Sequence, residues 1–148
     1  MTAKGGVRGE GGGYARQLRI HAEREWVFDA ITTLDGLHGW WTTTVTGSTA
    51  PGGELCFEFA GTDEQIVMHV DEVRPPAVVA WSYVAHTRDD KWTGSTVRFG
   101  LVSRRPQACE LDFRHTRIER RLVAQGWEHL LASLAAHTER GEGSPYGT

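Results

Sequence analysis

The sequence predicts an α+β domain: a curved antiparallel sheet of about six or seven strands, two short helices after the first strand, and a long C-terminal helix across the sheet. Three observations carry that reading. A chain of 148 residues has the size of one domain, which typically buries about 70% of its unfolded surface around a single core. After Trp41 the apolar residues switch from helical spacing to strict alternation. Helical spacing returns near the C-terminus, where Val123, Trp127, Leu130, Leu131, Leu134 and Ala135 form one stripe that ends at Gly141, the expected cap.

Each element has a local reason. Residues 1–13 are glycine-rich and nearly devoid of apolar side chains, so a flexible tail is expected there. Tyr14, Arg16, Leu18 and Ile20 alternate with Ala15, Gln17 and Arg19, as in a strand. A helix over Glu23 to Thr32 would put Trp26, Val27, Ala30 and Ile31 on one stripe, with Glu23 and Glu25 in the first turn where the macrodipole favours them. Leu34, Leu37, Trp40 and Trp41 suggest a second short helix.

Strands follow over Thr42 to Thr46, around Leu55, Phe57 and Phe59, and over Gln65 to Val73. Pro75 and Pro76 cannot donate to a ladder and so should turn the chain into Val78 to Ala85. Thr96 to Ser103, a turn near Pro106, and Ala108 to Thr116 complete the sheet. The closing helix, from about Glu119 to Arg140, would span roughly 33 Å, enough to cross it.

Composition narrows the function classes. Sixteen basic and nineteen acidic residues, a net charge of -3, spread along the chain without a basic footprint for nucleic acid. No apolar run reaches membrane-spanning length, and no N-terminal stretch resembles a signal peptide. Cys56 and Cys109, the two cysteines, read as free thiols in a reducing, cytoplasmic setting. Six tryptophans supply large, rigid, amphipathic surface.

Local strings add a resemblance. "HAEREWVFDAITTLDGLHGWW", "HVDEVRPPAVVAWSY" and "GWEHLLASLAAHTERGEGSP" resemble, in order and spacing, the first helices, a proline-turned hairpin and the closing helix of the family named after the activator of Hsp90 ATPase, in its single-domain bacterial form. That family is part of the START-like (SRPBCC, Bet v 1-like) superfamily, whose helix-grip fold the resemblance implies over residues 14–145. The superfamily includes ligand carriers, cyclases and aromatases, and co-chaperone domains, so the resemblance implies a fold and leaves the activity open.

No catalytic pattern stands out: there is no G-x-S-x-G elbow and no zinc spacing, and His129 and His137 lie too far apart on one helix to share a metal. No cofactor is implied. Strand parity instead selects one face of the sheet, with Leu55, Phe57 and Phe59; Ile66, Met68 and Val70; Val79, Trp81 and Tyr83; and Val97, Phe99 and Leu101. His115 shares its face with Leu111 and Phe113, whereas His69 falls opposite Met68 and Val70.

A bent sheet and a straight helix diverge at one end and leave a volume that side chains fill only partly. The candidate wall of that volume is Trp40, Trp41, Phe57, Phe59, Met68, Trp81, Tyr83, Phe99, Phe113, His115, Trp127, Leu130, Leu131 and Leu134; for any one of them core packing is the simpler reading, and the pocket rests on the set. Tyr83, Trp81 and His115 are the candidate polar anchors, and His86 to Gly94 reads as either a lid or a solvated hairpin.

The expected partner is an apolar or aromatic small molecule. A cyclase or aromatase using His115 or Tyr83 as acid or base, and a co-chaperone-like interaction domain, are the alternatives. The sequence leaves a homodimer open and names no protein partner.

Overall fold

A computed structural model of the chain describes residues 13–87 and 89–146. Apart from Gly13, the expected flexible tail therefore lies outside the described residues. Gly13 itself is tied down, its N–H donating to the Ile118 carbonyl at 3.0 Å.

The elements run β1 (Tyr14–Ile20), α1 (Arg24–Thr32), α2 (Leu34–Trp40), β2 (Thr44–Gly47), β3 (Glu54–Glu58), β4 (Gln65–Arg74), β5 (Val78–His86), a 3-10 turn (Asp90–Trp92), β6 (Thr96–Arg104), β7 (Ala108–Thr116) and α3 (Arg120–Arg140). The strands form one seven-stranded sheet in the order β1-β7-β6-β5-β4-β3-β2, and each pairing is antiparallel. From β2 to β7 the sheet is a simple meander. The helical pair α1–α2 carries the chain from the β1 edge to the opposite edge, which is why two short helices stand between the first two strands.

Register shifts between Val67 and Met68, and between Val70 and Glu72, interrupt the β4–β5 ladder. Extra residues of this kind bend a strand and increase its twist, and they curve the sheet around α3. The inward parity set is buried throughout, with Phe59 only half-buried at the end of the sheet. His69 lies on the other face, where its Nδ1 is 2.8 Å from an Asp71 carboxylate oxygen.

Rings fill the middle of the concave face. Trp41 meets Phe57 at 4.5 Å between centroids and Trp127 at 5.2 Å, Phe113 meets Trp127 at 4.3 Å, and Phe99 lies 5.0 Å from Phe113 and 5.4 Å from Trp81. Such pairs add about 0.5–1.5 kcal/mol each beyond the area they bury. Trp40 is pinned by its indole N–H, which donates to the Ala30 carbonyl at 2.7 Å and so locks α2 to α1.

Two local expectations change, and the end of the chain adds a contact that no pattern announced. Trp26 is 65% exposed, and Phe28 takes the buried place in α1. At about 100° per residue, position 26 falls outside the arc defined by residues 27, 28, 30 and 31. The second strand begins at Thr44, because the Thr42 hydroxyl turns inward and donates to the Glu58 carbonyl at 2.6 Å. Beyond α3, the chain returns to the sheet: Tyr146 and Thr42 form a parallel bridge, with the Tyr146 N–H donating to the Trp41 carbonyl at 2.9 Å. Gly141 closes α3 with φ 73°, as a left-handed cap requires.

Candidate functional site

The N-terminal half of α3 faces the end of the domain where β3 and β4 are joined. A cavity of about 460 Å³ opens there. Leu122, Val123, Gly126, Trp127 and Leu130 of α3 form one side, and Trp41, Phe59, Ile66 and Tyr83 form the other. The β3–β4 loop adds Ala60, Thr62 and Glu64; the end of β5 and the 3-10 turn add His86 and Trp92; the C-terminal segment adds Tyr146.

Each contribution has a local cause. The Thr62 hydroxyl donates to the Phe59 carbonyl at 2.7 Å and accepts from the Glu64 N–H at 3.0 Å, which shapes the loop and delivers Glu64 to the rim. The Asp89 carboxylate accepts from the Lys91 N–H at 3.0 Å, capping the turn that places Trp92 5.2 Å from Tyr83 and 4.9 Å from His86. Tyr146 packs edge-on to Phe59 at 5.6 Å and stacks on His129 at 5.0 Å. Gly126 sits on the rim of α3, where an added Cβ would meet no atom within 4 Å.

Behind the wall lies a polar thread. The Trp127 indole N–H donates to His115 Nδ1 at 3.0 Å. Indole is a donor only, so Nδ1 is unprotonated and the imidazole proton sits on Nε2. Nε2–H then donates to the Ser95 hydroxyl at 2.8 Å, and that hydroxyl donates to the Trp92 carbonyl at 2.6 Å. His115 is fully buried and stacked on Tyr83, with 5.1 Å between centroids and 8° between planes. Burial pushes its pKa down to about 3, so the ring is neutral at physiological pH. Burial likewise holds the Tyr83 hydroxyl far above the ordinary phenol range, fully protonated.

Of the residues that parity and helical spacing selected, Trp41, Phe59, Ile66, Tyr83, Trp127 and Leu130 stand on the cavity wall. His115 is one ring behind it. Trp40, Phe57, Met68, Trp81, Phe99, Phe113, Leu131 and Leu134 are packed into the core beneath, because the rings of the mid-sheet meet one another and leave no space beside them. The sequence reading did not select His86, Glu64, Leu122, Val123, Gly126 or Tyr146 for the wall. Glu64 and Tyr146 carry no periodic signal. Trp92 was legible only as a tryptophan in a loop. Among the described residues no group of three or more His, Cys, Asp or Glu could hold a metal, and no helix is long and apolar enough to cross a membrane.

Several solved structures share this architecture. The Aha1 dimer from Colwellia psychrerythraea superposes with a TM-score of 0.75 at 26% identity, over 87% of this chain and 97% of that one. DynU16, a protein in the dynemicin biosynthetic locus, gives 0.72 at 22% identity over 89% of this chain and 49% of its own. An HSP90 activator from Plasmodium falciparum, PFC0360w, gives 0.68 at 16% identity, over 82% and 92%. At the lower identities the likeness is one of fold, the helix-grip arrangement of a seven-stranded sheet and a long C-terminal helix. No protein of curated function matches the sequence. The family model described as activator of Hsp90 ATPase homolog 1-like protein matches residues 21–139, most of the domain, and the chain belongs to that family.

Proposed function

We propose that the chain is a binding module that holds an apolar or aromatic small molecule between the sheet and α3. The observation that supports this most is a cavity of about 460 Å³ walled mainly by aromatic and aliphatic side chains, with a few polar groups gathered on one side. Small-molecule sites commonly have this size and lining. Gly126 adds support, because a glycine inside a helix costs about 1 kcal/mol relative to alanine, and here no close packing demands it. It leaves the rim open.

Binding is preferred to the cyclase alternative on the state of two groups. Both nitrogens of His115 are engaged by Ser95 and Trp127, and Tyr83 is held protonated, so neither is poised to exchange a proton with a ligand. Titration of the intrinsic tryptophan fluorescence with fatty acids, sterols and aromatic polyketides tests the reading, since Trp41, Trp92 and Trp127 all face the cavity. Saturable quenching that is abolished by Gly126→Phe, a substitution that puts a ring into the mouth, is the expected result. Quenching unchanged by that substitution would place any ligand elsewhere.

A further inference from the structure

The cavity is polar on one side only. Thr62, Glu64 and His86 lie on the β3–β4 loop and the end of β5, whereas α3 offers Leu122, Val123 and Leu130. An occupant matched to both sides is amphipathic, with its head at the loop and its tail along the helix. The sign of the head follows from the charges. Among the described residues lining the cavity, Glu64 is the carboxylate and none is Lys or Arg.

His86 stands beside Glu64: its Nδ1 accepts from the Asp89 N–H at 3.3 Å, and its Nε2 lies 3.4 Å from the Glu64 carboxylate. Glu64 carries the negative charge of this lining. That charge reaches across the mouth, since Glu64 adds to burial in raising the Tyr146 hydroxyl above the ordinary phenol range. The surrounding rings act in the same sense. Aromatic faces carry negative potential and attract cations, ammonium groups above all. A carboxylate head, as in a fatty acid, would meet a like charge with no basic partner among these residues.

We propose that the cavity selects an amphipathic organic cation, an alkyl or aryl ammonium whose head sits beside Glu64 among Tyr83, Trp92 and Tyr146 and whose tail lies along α3. This rests on the binding reading above and gives it a chemical class.

The test uses the full chain and three octyl ligands ending in trimethylammonium, hydroxyl or carboxylate, titrated by tryptophan fluorescence. The ammonium is expected to bind about tenfold more tightly than the alcohol, with the carboxylate weakest. Glu64→Gln should reduce the ammonium-to-alcohol ratio to about twofold, and Glu54→Gln, in β3 and outside the cavity lining, should leave it unchanged. Because the readout is a ratio within one variant, a small change in folding stability does not mimic it. If alcohol and ammonium bind equally well, or the preference survives Glu64→Gln, the cation assignment is overturned while the binding reading stands. If none of the three binds, both fall.

Discussion

Acidification from pH 7.5 to 5 should weaken this fold through His115, and the size of the effect follows from its surroundings. Ser95, Trp127, Tyr83 and Trp92 surround the imidazole, and none of them carries a charge. Protonation would bury an unpaired cation and turn Nδ1 into a donor facing the donor Trp127 N–H. The folded pKa is accordingly depressed from 6.5 to about 3.

Between those two values the unfolded chain binds the extra proton and the folded chain does not. Stability from this group is therefore complete above pH 6.5 and is lost progressively as pH falls below it, at about 1.4 kcal/mol per pH unit. At pH 5 the loss is about 2 kcal/mol, or about 6–8 °C in Tm for a domain of this size. Burial lowers the pKa of His137 as well. His115→Gln isolates the effect, because the amide can accept from Trp127 or donate to Ser95 but cannot titrate.

Urea unfolding of wild type and variant at half-unit pH intervals gives the difference in stability as a curve. It should be flat above pH 7 and fall by about 2 kcal/mol between pH 7.5 and 5. A curve flat over the whole range would show that His115 is not held neutral, and a rise on acidification would show that the imidazolium is the stabilised form.

Other outcomes follow from single contacts. Gly36→Ala should destabilise by about 1–3 kcal/mol in thermal melts, because the new Cβ would stand 2.6 Å from the Ala30 Cα and force α1 and α2 apart. The Ser133 hydroxyl donates to the Trp40 carbonyl at 2.8 Å and accepts from the Ser144 N–H at 2.7 Å. Ser133→Ala should therefore cost about 1–3 kcal/mol and speed hydrogen exchange at Ser144 as the C-terminal segment loosens. Burial pushes the Cys109 thiol up to about 11, so a thiol reagent at pH 8 should label the half-buried Cys56 first and Cys109 only on unfolding. Equal labelling rates would contradict that burial.

Much of this architecture was legible from local pattern. The alternation in β4 to β7 placed Met68, Trp81, Phe99 and Phe113 on the concave face, and the stripe of α3 placed Trp127 and Leu131 against it, because side-chain direction in a strand or helix is set by backbone geometry within a few residues. Trp26 shows the limit of that logic: one apolar residue at the margin of a short helix can fall on either side of the buried arc, and what packs against the helix decides.

The cavity is a different kind of feature. Whether an inward ring touches another ring or an empty volume depends on where α3 diverges from the sheet, on the register shifts in β4, and on a C-terminal segment that returns to Trp41 across more than a hundred residues of chain. Sequence by itself determined which residues face inward, since that direction is local. Only the tertiary structure decided that Trp41, Tyr83 and Trp127 border space while Phe57, Trp81 and Phe113 are enclosed by other core rings, and that Glu64 and Tyr146 join the wall, since voids arise from contacts between segments distant in the chain.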